Sequence, residues 1–157
     1  MAKHIAHSER LTLINSLSST GSFKLYTDHH EGIAPSVIFC GSARYDTEMP
    51  KVFQLSRINV NPSLRCIRSG IPLRALDIMG SGGFLLSNYQ PELAESFQDG
   101  VDLVLYTSME DALDKCVWYL SHETERKKIA KSGCQKTRQQ FSYTKQLQTM
   151  FQDCGLI

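Results

Sequence analysis

"PLRALDIMGSGGFLLSN", residues 72–88, puts three glycines within four positions between a helix-like segment and an apolar run. "PLRALDIM" (72–79) reads as a short helix entered at Pro72, a favoured residue for a first helical turn. "GFLLSN" then reads as a strand. A dinucleotide fingerprint requires G-x-G-x-x-G after a strand and before a helix. Here Gly80, Gly82 and Gly83 follow a helix and precede a strand, and the third fingerprint position is Leu85. The pattern therefore excludes a nicotinamide-type loop. Gly80 is expected to stop the helix with a left-handed backbone, which costs glycine nothing.

Working outward, short apolar runs alternate with helical segments. "FKLYT" (23–27), "SVIFC" (36–40), "INVN" (58–61) and "VDLVLY" (101–106) read as strands. "YDTEMPKVFQLS" (45–56) reads as a short helix interrupted near Pro50, and "PELAESF" (91–97) as another. "HSERLTLINSLSST" opens the chain with a helix capped at Ser8, carrying Leu11, Ile14 and Leu17 on one side. The last third is helical: "SMEDALDKCVWYLSH" with Ser108 and Asp111 in capping-box spacing, then "ETERKKIAKSGCQKTRQQ" and "SYTKQLQTMFQDC". Leu113, Cys116, Val117 and Leu120 form an apolar face on the first of these, and Leu147, Met150 and Phe151 on the last. Trp118, Tyr119 and Phe151 read as packing residues. This alternation predicts an α/β domain spanning residues 1–157, with a parallel sheet flanked by helices and the C-terminal helices packed outside.

Composition limits the function classes. The 157 residues carry a net charge of +1, which gives no global field for nucleic acid. No run is long enough to span a bilayer and the N-terminus lacks a signal-peptide core, so a cytoplasmic protein is expected. Five cysteines without a C-x-x-C pair argue against a disulfide framework or zinc ribbon, and His29-His30 has no partner ligand spacing. No metal or cofactor is expected.

Charge is nonetheless segregated. Residues 57–74 hold Arg57, Arg65, Arg68 and Arg74 and no carboxylate, whereas 92–114 hold seven carboxylates and no lysine or arginine. The basic stretch runs from a strand tip to a helix start, the region beyond strand carboxyl ends where α/β proteins bind ligands. Free amides at a helix start attract anions, Gly70 permits close approach, and arginines add charge-assisted hydrogen bonds. A solvated basic loop is the plain alternative. Asp77 lies one turn after Arg74 and suits either the two hydroxyls of a ribose or an i, i+3 ion pair. Spacing leaves both open.

The string from Ser56 to Gly133 resembles the C-terminal domain of GT-B glycosyltransferases, in the bacterial branch called glycosyl transferase family 1-like or spore-maturation-like. The likeness covers about residues 41–143. It implies a Rossmann-like domain that binds a nucleoside-diphosphate sugar, with the acceptor held by a separate N-terminal domain. On that resemblance Arg74 serves the departing diphosphate as the catalytic group. Arg65, Arg68, Ser69, Gly70, Ile71 and Glu95 line the donor diphosphate and sugar. Asp77 binds the ribose, and Gly41 and Tyr45 lie by the nucleobase. Two features depart from the family pattern. Ser69 stands where many retaining members carry a glutamate eight residues before the ribose-binding acid, and neither Arg10 nor Lys24 matches the basic pair expected near the first strand. The resemblance implies transfer only when the acceptor half is joined, and an inactive isolated chain. A nucleotide-binding module without turnover, or a structural interaction domain, are the rival classes.

Overall fold

The computed structural model describes residues 2–28, 31–63 and 70–155, with the side chains of 2–7 not among them. His29, His30, Arg65, Cys66, Arg68 and Ser69 lie outside the described residues. The elements are α1 (Ala2–Leu17), β1 (Phe23–Leu25), β2 (Val37–Phe39), α2 (Met49–Leu55), β3 (Asn59–Asn61), α3 (Leu73–Gly80), β4 (Leu85–Asn88), α4 (Pro91–Ser96), β5 (Val104–Tyr106), α5 (Met109–Ser121), α6 (Glu123–Gln140) and α7 (Tyr143–Asp153).

All pairings between named strands are parallel. They form two pieces, β1-β2 and β3-β4-β5, rather than one continuous sheet. The period-two alternation of strand side chains sorts the core into two layers. Phe84, Leu86, Val104 and Tyr106 face Leu13 and Leu17 of α1, Ala112 and Cys116 of α5, and Ile129 of α6. Leu85, Leu103 and Leu105 point the other way, onto Phe53 of α2, Ala75, Ile78 and Met79 of α3, and Leu93 and Phe97 around α4. Helices on both faces of a parallel sheet are the predicted α/β arrangement.

The glycine turn divides its labour differently from expectation. Gly80 is the last residue of α3 and has no positive φ; the left-handed residue is Gly82, with φ +84°. The Gly82 N–H donates to Met79 O (2.8 Å) and the Gly83 N–H to Ile78 O (2.9 Å), the paired bonds of a Schellman cap. Gly83 is needed for space: a Cβ there would stand 2.7 Å from both Asn59 Nδ2 and Phe53 O. Gly80 lets α6 lie close, and its carbonyl accepts from Arg138 Nε (3.0 Å) and Cys134 Sγ (3.6 Å).

Other boundaries also moved. Ser8 sits inside α1 rather than capping it, and Leu13 is more buried than the Leu11–Ile14–Leu17 face suggested, because the helix contacts the core over a wider arc. Pro50 does not interrupt α2; it occupies the helix's first turn, where its missing N–H has no cost. Pro72 is the residue before α3 rather than within it. Ser108 Oγ accepts from the Asp111 amide as predicted (3.1 Å). Cys116 is buried as read, and Tyr119 packs on Phe84 with ring centroids 4.8 Å apart. Val117, Trp118, Leu147, Met150 and Phe151 are exposed, so the apolar side of α7 is not part of the core. Trp118 instead stacks on His122 at 3.8 Å.

Candidate functional site

The site is built where α3 begins, beside the loop after β2. Gly41 turns the chain at the end of β2 with φ +70°. A turn follows in which the Glu48 and Met49 amides donate to Arg44 O, while Glu48 bonds back to the Arg44 amide (2.9 Å). This fixes Tyr45, whose hydroxyl donates to Asp77 Oδ1 at 2.8 Å. Arg74, one turn before Asp77, lays its guanidinium over the rings of Tyr45 (5.9 Å) and Phe53 (5.5 Å). Arg74 is exposed and Asp77 half-buried, so this group lies at the surface rather than inside a closed core.

Asp77 thus makes the ion-pair reading incomplete: its hydrogen bond goes to a tyrosine from another element, not to Arg74. That bond raises the Tyr45 phenol above its usual 10.0, helped by some burial and by the Asp77 charge, while Arg74 opposes it. The phenol therefore stays protonated and donating at neutral pH, which occupies one carboxylate oxygen of Asp77.

Among the described residues no side chain caps the start of α3. Pro72 has no N–H, while the Ala75 amide bonds Pro72 O at 2.9 Å. The first-turn amides of Leu73 and Arg74 are those a helix leaves without intrahelical acceptors. Gly70 is exposed with φ +90° and free space where a Cβ would be. Ile71 packs against the layer of Phe53 and Ile78 and so orients the loop rather than facing outward. Glu95 is exposed on α4; no contact among the described residues joins it to Asp77, Arg74 or Tyr45. Arg65, Arg68 and Ser69 lie outside the described residues.

The chain leaving β3 is anchored by the buried amide of Asn61 and the half-buried amide of Asn88 at the carboxyl ends of the strands. Asn61 Nδ2 donates to Ser87 Oγ (3.0 Å) and Ser63 Oγ (2.9 Å), and the Ser63 amide donates to Asn88 Oδ1 (2.7 Å). Arg10 Nε donates to Pro62 O at 2.9 Å, tying α1 to the same loop. Sequence reasoning weighed Arg10 only as a poor match to the family's basic pair, and passed over Asn61 and Asn88. The polar end of "INVN" was the signal for Asn61, but its partner Ser87 lies 26 residues away, as Pro62 lies 52 from Arg10 and Ser63 25 from Asn88.

Three of the seven carboxylates in the acidic stretch are structural. Asp99 accepts the Leu105 amide (2.8 Å), and Asp111 accepts the Thr107 amide (2.9 Å) and pairs with Lys115 (2.9 Å). Asp102 accepts from Ser132 Oγ (2.6 Å), Lys136 Nζ (3.0 Å) and the Gln98 amide (3.1 Å). These carboxylates close turns and dock α6.

The family model described as glycosyl transferase-like matches residues 10–152. The chain belongs to the glycosyl transferase-like family. Among curated protein sequences none matches it. Solved glycosyltransferases of the GT-B type share its fold. The Anabaena HepE structure in complex with UDP-glucose superposes with a TM-score of 0.77 at 12% identity, covering 95% of this chain and 46% of that one. HepE with UDP and glucose gives 0.75 at 14%, covering 92% and 44%. The C-terminal domain of a Francisella tularensis group 1 glycosyl transferase, LpcC, gives 0.57 at 23%, covering 71% and 57%. This family member therefore spans less than half the length of HepE. Among its described residues no helix is long and apolar enough to cross a membrane.

Proposed function

We propose that residues 1–157 form the donor-binding unit of a bacterial, cytoplasmic GT-B glycosyltransferase, whose acceptor is held by an N-terminal half not contained in this chain. The unit binds a nucleoside-diphosphate sugar, and the whole enzyme transfers the sugar. The observation that carries this reading is the convergence of Tyr45, Asp77 and Arg74 on one side of an uncapped helix start, in a chain of this family.

In this arrangement the second oxygen of Asp77 takes a ribose hydroxyl, and Tyr45 and Gly41 border the nucleobase. The diphosphate meets the Leu73 and Arg74 amides and the Arg74 guanidinium. Gly70 and Ile71 shape the approach to it, Arg65, Arg68 and Ser69 are assigned to the same diphosphate and sugar, and Glu95 faces the sugar. When the anomeric bond breaks, the bonding electrons leave with the nucleoside diphosphate, and negative charge gathers on its terminal phosphate. Amides and a guanidinium already oriented there stabilise that charge without reorganising. Arg74 is the catalytic group in that sense. No metal ion or other cofactor enters the scheme.

UDP is the first nucleotide to test, because HepE was captured with UDP and UDP-glucose. Titration calorimetry should show UDP binding that weakens about tenfold or more in Asp77→Ala and in Arg74→Ala, the scale of one hydrogen bond to a charged group. Unchanged affinity in both variants removes these roles. A second reading, a binding module without turnover, is favoured for the isolated chain by its short span relative to HepE. Hydrolysis or transfer of UDP-glucose by the chain alone counts against it.

A further inference from the structure

An open groove of about 490 Å³ lies at the carboxyl ends of β3, β4 and β5, within the roughly 300–1,000 Å³ of small-molecule sites. Glu9 and Arg10 of α1 line one side, Asn88 and Tyr89 follow along β4, and Tyr106 and Met109 join the end of β5 to α5. The helices that flank it, α1 and α5, cover the opposite layer of the sheet from α3. It shares no described residue with the group of Tyr45, Asp77 and Arg74.

Tyr106 makes this groove more than a dent in the surface. Its side chain is 7% exposed and packs in the layer of Leu13 and Ala112. Among the described residues nothing hydrogen-bonds its hydroxyl. The fully enclosed side-chain atoms without a partner are Gln90 Oε1 and Thr137 Oγ1. The Tyr106 oxygen is not among them, so it keeps a small opening, and Tyr106 lines the groove. A buried phenol ordinarily finds a partner, because leaving it without one costs free energy. Burial raises this phenol to about 12 against the lowering charge of Arg10, so it stays a neutral O–H at physiological pH. Two neighbours add donors. Asn88 Oδ1 accepts the Ser63 amide (2.7 Å), which leaves its Nδ2 without a partner among the described residues. Arg10 Nε is engaged by Pro62 O (2.9 Å), which holds the guanidinium beside the groove. Tyr89 is 53% exposed and supplies a flat apolar ring.

We propose that the groove holds one neutral pyranose ring, laid by a C–H face on Tyr89 and hydrogen-bonded through its hydroxyls to Tyr106, Asn88 and Arg10. A pyranose combines an apolar face with a girdle of hydroxyls that both accept and donate, which is the chemistry these groups meet together. Glu9 and Arg10 bring one charge of each sign to the same side, so a bare anion gains little there. The ring belongs to the acceptor or to the donor's sugar, and the two sources separate by experiment. The inference deepens the proposed function and rests on it only for the choice of a sugar, not for where a nucleotide binds.

Methyl glycosides of glucose, galactose, mannose and N-acetylglucosamine are titrated into the isotope-labelled chain and followed by amide NMR, with sorbitol as an open-chain control. At least one glycoside should shift the Tyr89, Thr107 and Met109 amides saturably, with a dissociation constant on the order of millimolar, and sorbitol should not. Tyr89→Ala and Tyr106→Phe should each weaken that binding at least about threefold, the scale of one ring contact or hydrogen bond. Tyr106→Phe should melt within about 2 °C of the parent or above it, because deleting a hydroxyl that has no partner strands nothing. A melting loss of about 4 °C or more reveals an internal partner and overturns the inference. So do equal shifts with sorbitol, no shift with any glycoside, or binding that both variants leave unchanged. UDP and UDP-glucose follow. Groove shifts with UDP-glucose but not UDP assign the ring to the donor, and groove shifts with the methyl glycosides alone assign it to the acceptor. Saturable glycoside shifts without any UDP binding leave the groove standing and remove the donor-site reading instead.

Discussion

Gly82 and Gly133 show how two glycines carry different physical demands. Gly82 has open space around it but a backbone at φ +84°, so Gly82→Ala costs the left-handed penalty, about 1–2 kcal/mol. Gly133 in α6 has an ordinary helical backbone, yet a Cβ there would fall 2.1 Å from Asp102 O. Gly133→Ala must push α6 from the Gln98–Asp102 turn and should cost about 1–3 kcal/mol or more. Urea unfolding of the two variants checks both, and Gly82→Asn should recover part of the first loss, since asparagine tolerates that backbone better. Asp102 sets a pH dependence. Burial pushes its carboxyl up, but Ser132, the Gln98 amide and Lys136 together hold it below the usual 3.8. A carboxyl lowered in the folded state adds stability that is fully present above 3.8 and disappears as pH falls through the lower folded value. Asp102→Asn should flatten that acid limb of the stability curve. A limb unchanged in the variant places the loss elsewhere.

At the scale of elements, the short strands and the helices that cover them follow from local patterning, and their ends follow from tertiary contact. The alternation of Phe84, Leu85 and Leu86 can only be satisfied with apolar helices on both faces. Which glycine of the turn takes the left-handed position was not legible, because the cap depends on Phe53 and Asn59 approaching Gly83 from distant segments. The buried thiol of Cys116 is another element-scale consequence. It sits between α5 and the 3-10 turn Ser18–Thr20, and burial raises it above its usual 9.0, which the Thr20 contact opposes. Cys40 and Cys154 are exposed. Ellman's reagent should therefore modify those two rapidly and Cys116 only on unfolding. Rapid loss of the Cys116 thiol in the folded chain would contradict the packing of α1 on α5.

For the molecule as a whole, thermal unfolding with UDP tests whether the surface at α3 is a ligand site at all. A ligand that binds only the folded state must raise its melting temperature, by about 2.7 kcal/mol of stability at a hundred times its dissociation constant. No shift with UDP, ADP, GDP or TDP at millimolar concentration would favour an interaction domain instead.

The sequence alone determined the α/β class and the order of strands and helices, because hydrophobic period is a local quantity; charge spacing nominated Arg74 and Asp77 as candidates. The sequence also carried the family likeness, since that resides in an ordered string of residues. Tertiary structure decided what spacing cannot: that Asp77 bonds Tyr45 from 32 residues away, that three carboxylates of the acidic stretch close turns and dock α6, and that the sheet stands in two pieces. Contacts of that kind depend on which distant backbones come within hydrogen-bonding distance, and no local pattern encodes that distance.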